Sequence, residues 1–167
     1  WTGPQNFSAA LQNPVTSLPG QYLLTVTGPN GCQTTASAII IGDFELPDIS
    51  ATTDTITCTH PSVPVAGSSL TSGTSFEWNG PGSFFSALNP VSVNVGGLYV
   101  LTATAPNGCT AQTSVTVPVD IAEPGATAQS DTLTCRFPAI VLAGGANITN
   151  VQWSWTGPGN FMSSQQQ

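Results

Sequence analysis

Lysine is absent from this sequence, and Arg136 is the only formally basic side chain against eight carboxylates, giving a formal net charge of −7. Charged side chains make up 5% of the chain, where about a quarter is usual for a soluble domain. There is one histidine and one methionine. Each shortage excludes a class. A chain with one cation cannot displace counterions from phosphates, so nucleic acid is not a partner. No apolar run approaches the ~18 residues of a membrane-spanning helix, and nothing reads as a signal peptide, so membrane insertion is not expected and the stretch reads as mature or internal sequence. With no lysine, one histidine and scattered carboxylates, acid–base catalysis is poorly supplied, and the expectation is that the chain is not an enzyme.

Hydroxyls and amides take the place of charge: 23 Thr, 17 Ser, 10 Asn and 10 Gln among 167 residues. They are arranged in an internal repeat. Trp1, Trp78 and Trp155 are spaced by 77 residues, and so are Gly3-Pro4, Gly80-Pro81 and Gly157-Pro158. Phe7, Phe84 and Phe161 keep the same interval, as do Cys32 with Cys109 and Cys58 with Cys135. The block YLLTVTGPNGC from Tyr22 aligns without a gap on YVLTATAPNGC from Tyr99. This phase predicts the back part of one repeat over 1–46, a complete repeat over 47–120 and the front part of another over 121–167. Two partial copies imply either a piece of a longer tandem array or ends that complete one another between molecules, because an unpaired half would expose strand edges.

Within each copy the apolar residues alternate with period two, and no helical period competes. Tyr22, Leu24 and Val26 alternate with polar or outward residues, as do Tyr99, Leu101 and Ala103. Val115, Val117 and Val119 follow the same rule, and Val63 and Val65 pair with Ile140 and Leu142 one period on. Trp78 and Trp155 fall in the register of an inner face, where burying a large ring stabilises by about 2–3 kcal/mol. Trp78, Trp155, Tyr22 and Tyr99 are therefore the expected core. The PNG steps at Pro29–Gly31 and Pro106–Gly108 predict hairpins, since Asn tolerates left-handed geometry and Gly adopts it freely. Short strands at such intervals predict an all-β chain of antiparallel sandwiches.

A sandwich of about 77 residues has a thin core, and four cysteines in so hydroxyl-rich a chain predict disulfides in an oxidising, extracellular setting. Cys58–Cys109 would close a loop inside the complete repeat and leave Cys32 and Cys135 to partners elsewhere; Cys32–Cys58 with Cys109–Cys135 would satisfy all four. The first is the expectation and the second stays open. Zinc is not expected, because no Cys-x-x-Cys occurs.

The DTITC strand, the tryptophan in FEWNGPGSF, the GGLYVLTATAPNGC hairpin and the closing TSVTV strand resemble the Ig-like and PKD-like tandem repeats of very large secreted surface proteins of Bacteroidota. Where PKD repeats read WDFGDG, this chain reads WNGPGS. The resemblance implies stalks, adhesins or surface filaments. It also implies O-glycosylation at Thr55 in Asp54-Thr55-Ile56 and Thr132 in Asp131-Thr132-Leu133, which look like that group's Asp-(Ser/Thr)-aliphatic acceptors.

The remaining chemistry-bearing residues have plainer readings. His60 is replaced by Phe137 one period on and reads as a loop residue. Asn6 and Asn147 fit the N-linked sequon, as chance matches do. Asp43, Glu45, Asp48, Asp120 and Glu123 gather at the Pro47 and Pro124 joints, but only Asp43 and Asp120 correspond, so solvated linker acids are expected rather than a Ca²⁺ site. Phe85 is the candidate for a sugar-binding aromatic. The expected function is mechanical, a segment of an extracellular filament or stalk whose partners are adjacent repeats or other copies of itself. An adhesin module binding glycan or protein through exposed loops is the alternative. No cofactor is expected.

Overall fold

The computed structural model describes residues 1–166. The chain is all-β, with strands joined by turns and three single-turn 3-10 helices among the described residues. The strands are β1 (Gly20–Thr27), β2 (Gln33–Ile40), β3 (Ile49–Thr53), β4 (Ile56–Thr57) and β5 (Val63–Ser69). There follow β6 (Ser75–Gly80), β7 (Phe84–Ser86), β8 (Val91–Val93), β9 (Gly97–Thr104) and β10 (Thr110–Val117). The last five are β11 (Val119–Asp120), β12 (Ala126–Gln129), β13 (Ala143–Ala146), β14 (Trp155–Gly157) and β15 (Phe161–Ser163).

Two compact units emerge: Trp1–Thr55 with Ser62–Pro118, and Ile56–Pro61 with the residues from Val119 on. In the first, β10-β9-β6-β7 form a four-stranded antiparallel sheet and β3-β5-β8 a three-stranded one. Alternation places one face of each inward. Val63, Val65 and Val93 come from the smaller sheet, and Trp78, Tyr99, Leu101, Ala103 and Val117 from the larger; all are at most 4% exposed. A methyl added at Gly67 on β5 would collide with Leu101 on β9, so the two sheets face each other at close range there. The hairpin β1–β2 belongs to this unit as a separate two-stranded sheet. In the second unit β4 pairs in parallel with β11, and β12–β13 and β14–β15 form antiparallel pairs.

The 77-residue interval of the sequence reappears in the hydrogen-bond register. Gly20 opposes Ile40 and Gly97 opposes Val117, so the two hairpins have the same length and pairing. Trp78 opposes Ser86 as Trp155 opposes Ser163. Ile49 opposes Ser69 as Ala126 opposes Ala146. Local side-chain geometry repeats too. Phe7 meets Tyr22 edge-on at 5.2 Å and Phe84 meets Tyr99 at 5.4 Å. The tyrosine hydroxyls donate to the carbonyls four residues upstream, Tyr22 to Leu18 at 2.8 Å and Tyr99 to Val95 at 2.9 Å. Gly3 and Gly80 are glycines for a shared reason: a Cβ at either would lie 2.5 Å from the neighbouring tyrosine ring. Equal residues at equal spacing thus fold into equal local structure.

Burial does not repeat. Leu101, Ala103 and Val117 are at most 2% exposed, whereas Val26 and Ile40, their counterparts to Ala103 and Val117, are 50% and 40% exposed. Trp78 is fully buried and Trp155 only partly. Ile140 and Leu142, expected as strand residues, lie just outside β13.

Candidate functional site

Two features place chemistry-bearing groups together: the joint before Pro47, and the inner faces that the outer copies leave open. The joint is held by a turn residue. In the second hairpin, the Asn107 carbonyl oxygen accepts from the Cys109 amide at 2.9 Å, closing the turn. Its amide nitrogen then donates to Asp43 Oδ1 and to the Glu45 carbonyl, both at 2.9 Å. Asn30 in the first hairpin makes the same turn bond to Cys32 at 3.1 Å, and its amide nitrogen has no partner among the described residues. An asparagine is required only where both ends of the amide are used. Asn107→Asp keeps the turn acceptor, loses both donated bonds and sets a carboxylate beside Asp43. The expected cost is about 1 kcal/mol, reduced by salt, with faster hydrogen exchange over Asp43–Leu46. Asn30→Asp is the control and should leave the thermal midpoint unchanged.

The acids of this joint hold protein groups. Among the described residues no three His, Cys, Asp or Glu side chains gather as a metal site would need. His60 closes a tight turn in which its amide donates to Thr57, and its Nδ1 lies 3.1 Å from the Thr59 hydroxyl. The same turn forms at Thr134–Phe137, with backbone bonds of 3.0 Å in both directions. Phenylalanine serves there, so the turn does not depend on an imidazole. No Ser-His-carboxylate arrangement occurs among the described residues.

The four cysteines are free: Cys32, Cys58 and Cys135 are exposed and Cys109 partly so. Cys32 and Cys109 end the hairpin turns of the first unit, and Cys58 and Cys135 follow the β4-like segment in the second. Each pairing expected from the sequence therefore joins a cysteine of one unit to a cysteine of the other. Thr55 and Thr132 are both exposed, and the Thr132 amide donates to Asp131 Oδ1 at 2.7 Å. Asn6 occupies a left-handed turn position (φ 63°), as Ser83 and Asn160 do one and two periods on. Asn147 spends its amide carbonyl on the Gly125 amide at 2.7 Å, a structural fastening of the strand entry. Phe85 is 61% exposed on β7. Tyr99 has a pKa above its ordinary value of 10.0, because burial disfavours the charged phenolate.

No protein-family model matches this chain, and no curated protein matches it. What the chain can do must therefore be read from its surfaces. Two open grooves stand out, one in each unit. A groove of about 530 Å³ runs along Leu24–Thr27 of β1, walled by Trp1 and Leu11. Another, of about 520 Å³, lies between Ile140, Leu142, Trp155 and Phe161. In the middle copy the counterparts of Ile140, Leu142 and Trp155, namely Val63, Val65 and Trp78, are sealed at 3%, 0% and 0% exposure. The second groove is thus lined by residues whose counterparts 77 positions earlier are buried.

Sequence reasoning missed the Asn107 clamp and a second amide, Asn89. Its carbonyl oxygen accepts from the Gly67 amide at 2.7 Å, and its amide nitrogen donates to the Gly67 carbonyl at 2.8 Å. The Trp78 indole N–H points to the same oxygen at 3.4 Å. Recurrence of Asn30 and Asn107 opposite matching Asp43 and Asp120 was the available signal for the clamp. None existed for Asn89, whose counterpart is Gln12.

Proposed function

We propose that this chain is a structural segment of an extracellular filament or stalk, built from tandem Ig-like β-sandwich repeats of about 77 residues bounded at 1–46, 47–120 and 121–167. The observation that carries the reading is the hydrogen-bond register, which is the same at points 77 residues apart. The Ig-like part is supported by the two sheets of the first unit, one in the order β3-β5-β8 and one in the order β10-β9-β6-β7. These match the A-B-E and G-F-C-C′ strand sets of that architecture. A tyrosine at the start of the F-like strand bonding back to the preceding backbone supports it too.

The mechanical role follows from the same parts. Strand ladders resist extension along each repeat, and the Asn107 bond to Asp43 stiffens the joint between two of them. Charge is sparse, though almost all of one sign, and at physiological ionic strength salt screens its repulsion beyond about 8 Å, so neighbouring arrays can approach closely. In an oxidising medium the exposed thiols can bridge repeats, and the exposed Thr55 and Thr132 can carry O-linked glycan, which adds solubility to a surface poor in charge. Intact-mass measurement of native material should show added hexose-type mass on these threonines; none would remove the glycan from the reading.

Electron microscopy of native material decides the main proposal. Extended fibres or stalks with a bead-like repeat are expected; short particles of uniform size would overturn it. The exposure of Phe85 favours an adhesin as the second reading. Glycan-array binding lost on Phe85→Ala would raise it above the first.

A further inference from the structure

We infer that Asn107 is a deamidation site guarded by its own clamp, so that opening the joint for long enough destroys the clamp for good. Of the ten asparagines, three precede glycine: Asn30, Asn79 and Asn107. Asparagine is a thermolabile residue, most of all before glycine, which leaves the following chain nitrogen unhindered. Asn79 lies inside β6, paired with Phe85 on one side and Val100 on the other, and these ladders hold it extended. Asn107 stands in an exposed turn instead. Gly108 follows with a φ of 85°, and a Cβ added there would meet nothing within 4 Å, so water reaches the reacting atoms.

Water is the only co-reactant. The Gly108 backbone nitrogen gives its proton to water and bonds to Cγ of Asn107. The Cγ–Nδ2 bond breaks, and Nδ2 leaves as ammonia with the proton returned. A second water then opens the cyclic imide at either carbonyl, leaving aspartate or isoaspartate at position 107. Four hydrogen bonds oppose the first step. Oδ1 accepts from the Cys109 amide, and Nδ2 donates to Asp43 Oδ1 and to the Glu45 carbonyl, each at 2.9 Å. The Gly108 amide spends its own proton on the Ala105 carbonyl at 2.9 Å. Cγ cannot swing onto the Gly108 nitrogen until the clamp lets go, so the reaction samples only the opened joint. Nor can the product close it again. A carboxylate has no hydrogen to donate, and it would face Asp43, charge against like charge. The chemistry stands on this geometry; its meaning, a joint that slackens permanently once held open, rests on the tandem-repeat reading above.

Peptide mass mapping of both products over time, on the whole chain held at physiological temperature, tests the guard. Asn30 is the internal reference, because it stands in the same Pro-Asn-Gly-Cys sequence and its turn bond goes to Cys32. Asp43→Ala should speed conversion at Asn107 by about fivefold or more, since it removes a bond to a charged acceptor, and should leave Asn30 unchanged. Asp43→Asn keeps a side-chain oxygen in place and should hold the rate near that of the parent. In denaturant the two asparagines should convert alike, and Asn107 at least about tenfold faster than in the folded chain. An Asn107 rate unmoved by Asp43→Ala, or equal in folded and unfolded chain, overturns the inference. So does an Asn107 that stays intact in denaturant while Asn30 converts. Any of these results leaves the stalk reading standing; absence of fibres from native material would remove that reading and leave these rates untouched.

Discussion

Trp78→Ala is expected to remove about 3–5 kcal/mol of stability from the first unit, which shows as a fall of at least about 10 °C in its thermal midpoint. The indole is fully buried between the two sheets, so truncation loses the transfer energy of a ring and leaves a cavity that Tyr99, Leu101 and Val65 cannot close without leaving their rotamers. Trp155→Ala is the comparison. That ring is followed by the same Gly-Pro-Gly turn and has the same type of strand partner, Ser163 in place of Ser86, but it is partly solvated. In dilute solution its removal should cost less than half as much. The contrast weighs tertiary burial against local structure, because the Gly-Pro-Gly turn and the strand pairing beside the two rings are shared. Equal losses at the two positions would mean that the second unit is closed in solution and that the open groove beside Trp155 does not exist there.

The two tryptophans also show what the sequence could and could not tell. Spacing at 77 residues and the two-residue alternation were enough to place Tyr22, Tyr99 and Trp78 in the core and to locate both hairpins with their turns. These are local properties: an alternating run and a Pro-Asn-Gly step act over ten residues, and their outcome is the same wherever they recur. Burial of Trp155 was expected on the same evidence and came out partial, because burial depends on what arrives from elsewhere in the chain. The parallel pairing of β4 with β11 joins Ile56 to Val119, too far apart for any periodicity to reveal. The Asn107 bond to Asp43 spans 64 residues and looks in the sequence like one more turn asparagine. Cysteine counting predicted bridges from composition and compartment, neither of which carries position; the thiols lie on turns in both units and are free.

Asn89→Ala is expected to be the second most damaging change, at about 2–4 kcal/mol, as the sum of lost bonds and stranded partners. One amide spans the gap between β5 and the segment leading to β8, gripping the Gly67 amide and carbonyl at 2.7 and 2.8 Å. Gly67 is where β5 lies against Leu101, so no side chain of its own can shield its backbone, and water has little room to replace the amide. Alanine therefore leaves a donor and an acceptor unpaired beside the core, and takes from the Trp78 indole the acceptor it approaches at 3.4 Å. Asn89→Asp separates the two halves of this account: the carboxylate still accepts from Gly67 and Trp78 but cannot donate to the Gly67 carbonyl, and it brings a charge to a partly buried place. Its cost should fall as pH drops below the carboxylate range, since protonation restores a donor and removes the charge, while that of Asn89→Ala stays constant with pH. Gln12→Ala, the counterpart 77 residues earlier, removes an exposed side chain and should leave the midpoint within about 0.5 kcal/mol of the parent. A pH-independent Asn89→Asp, or an Asn89→Ala as mild as Gln12→Ala, would show that the Gly67 backbone is satisfied without this amide, and that the sheets are held together by apolar contact alone.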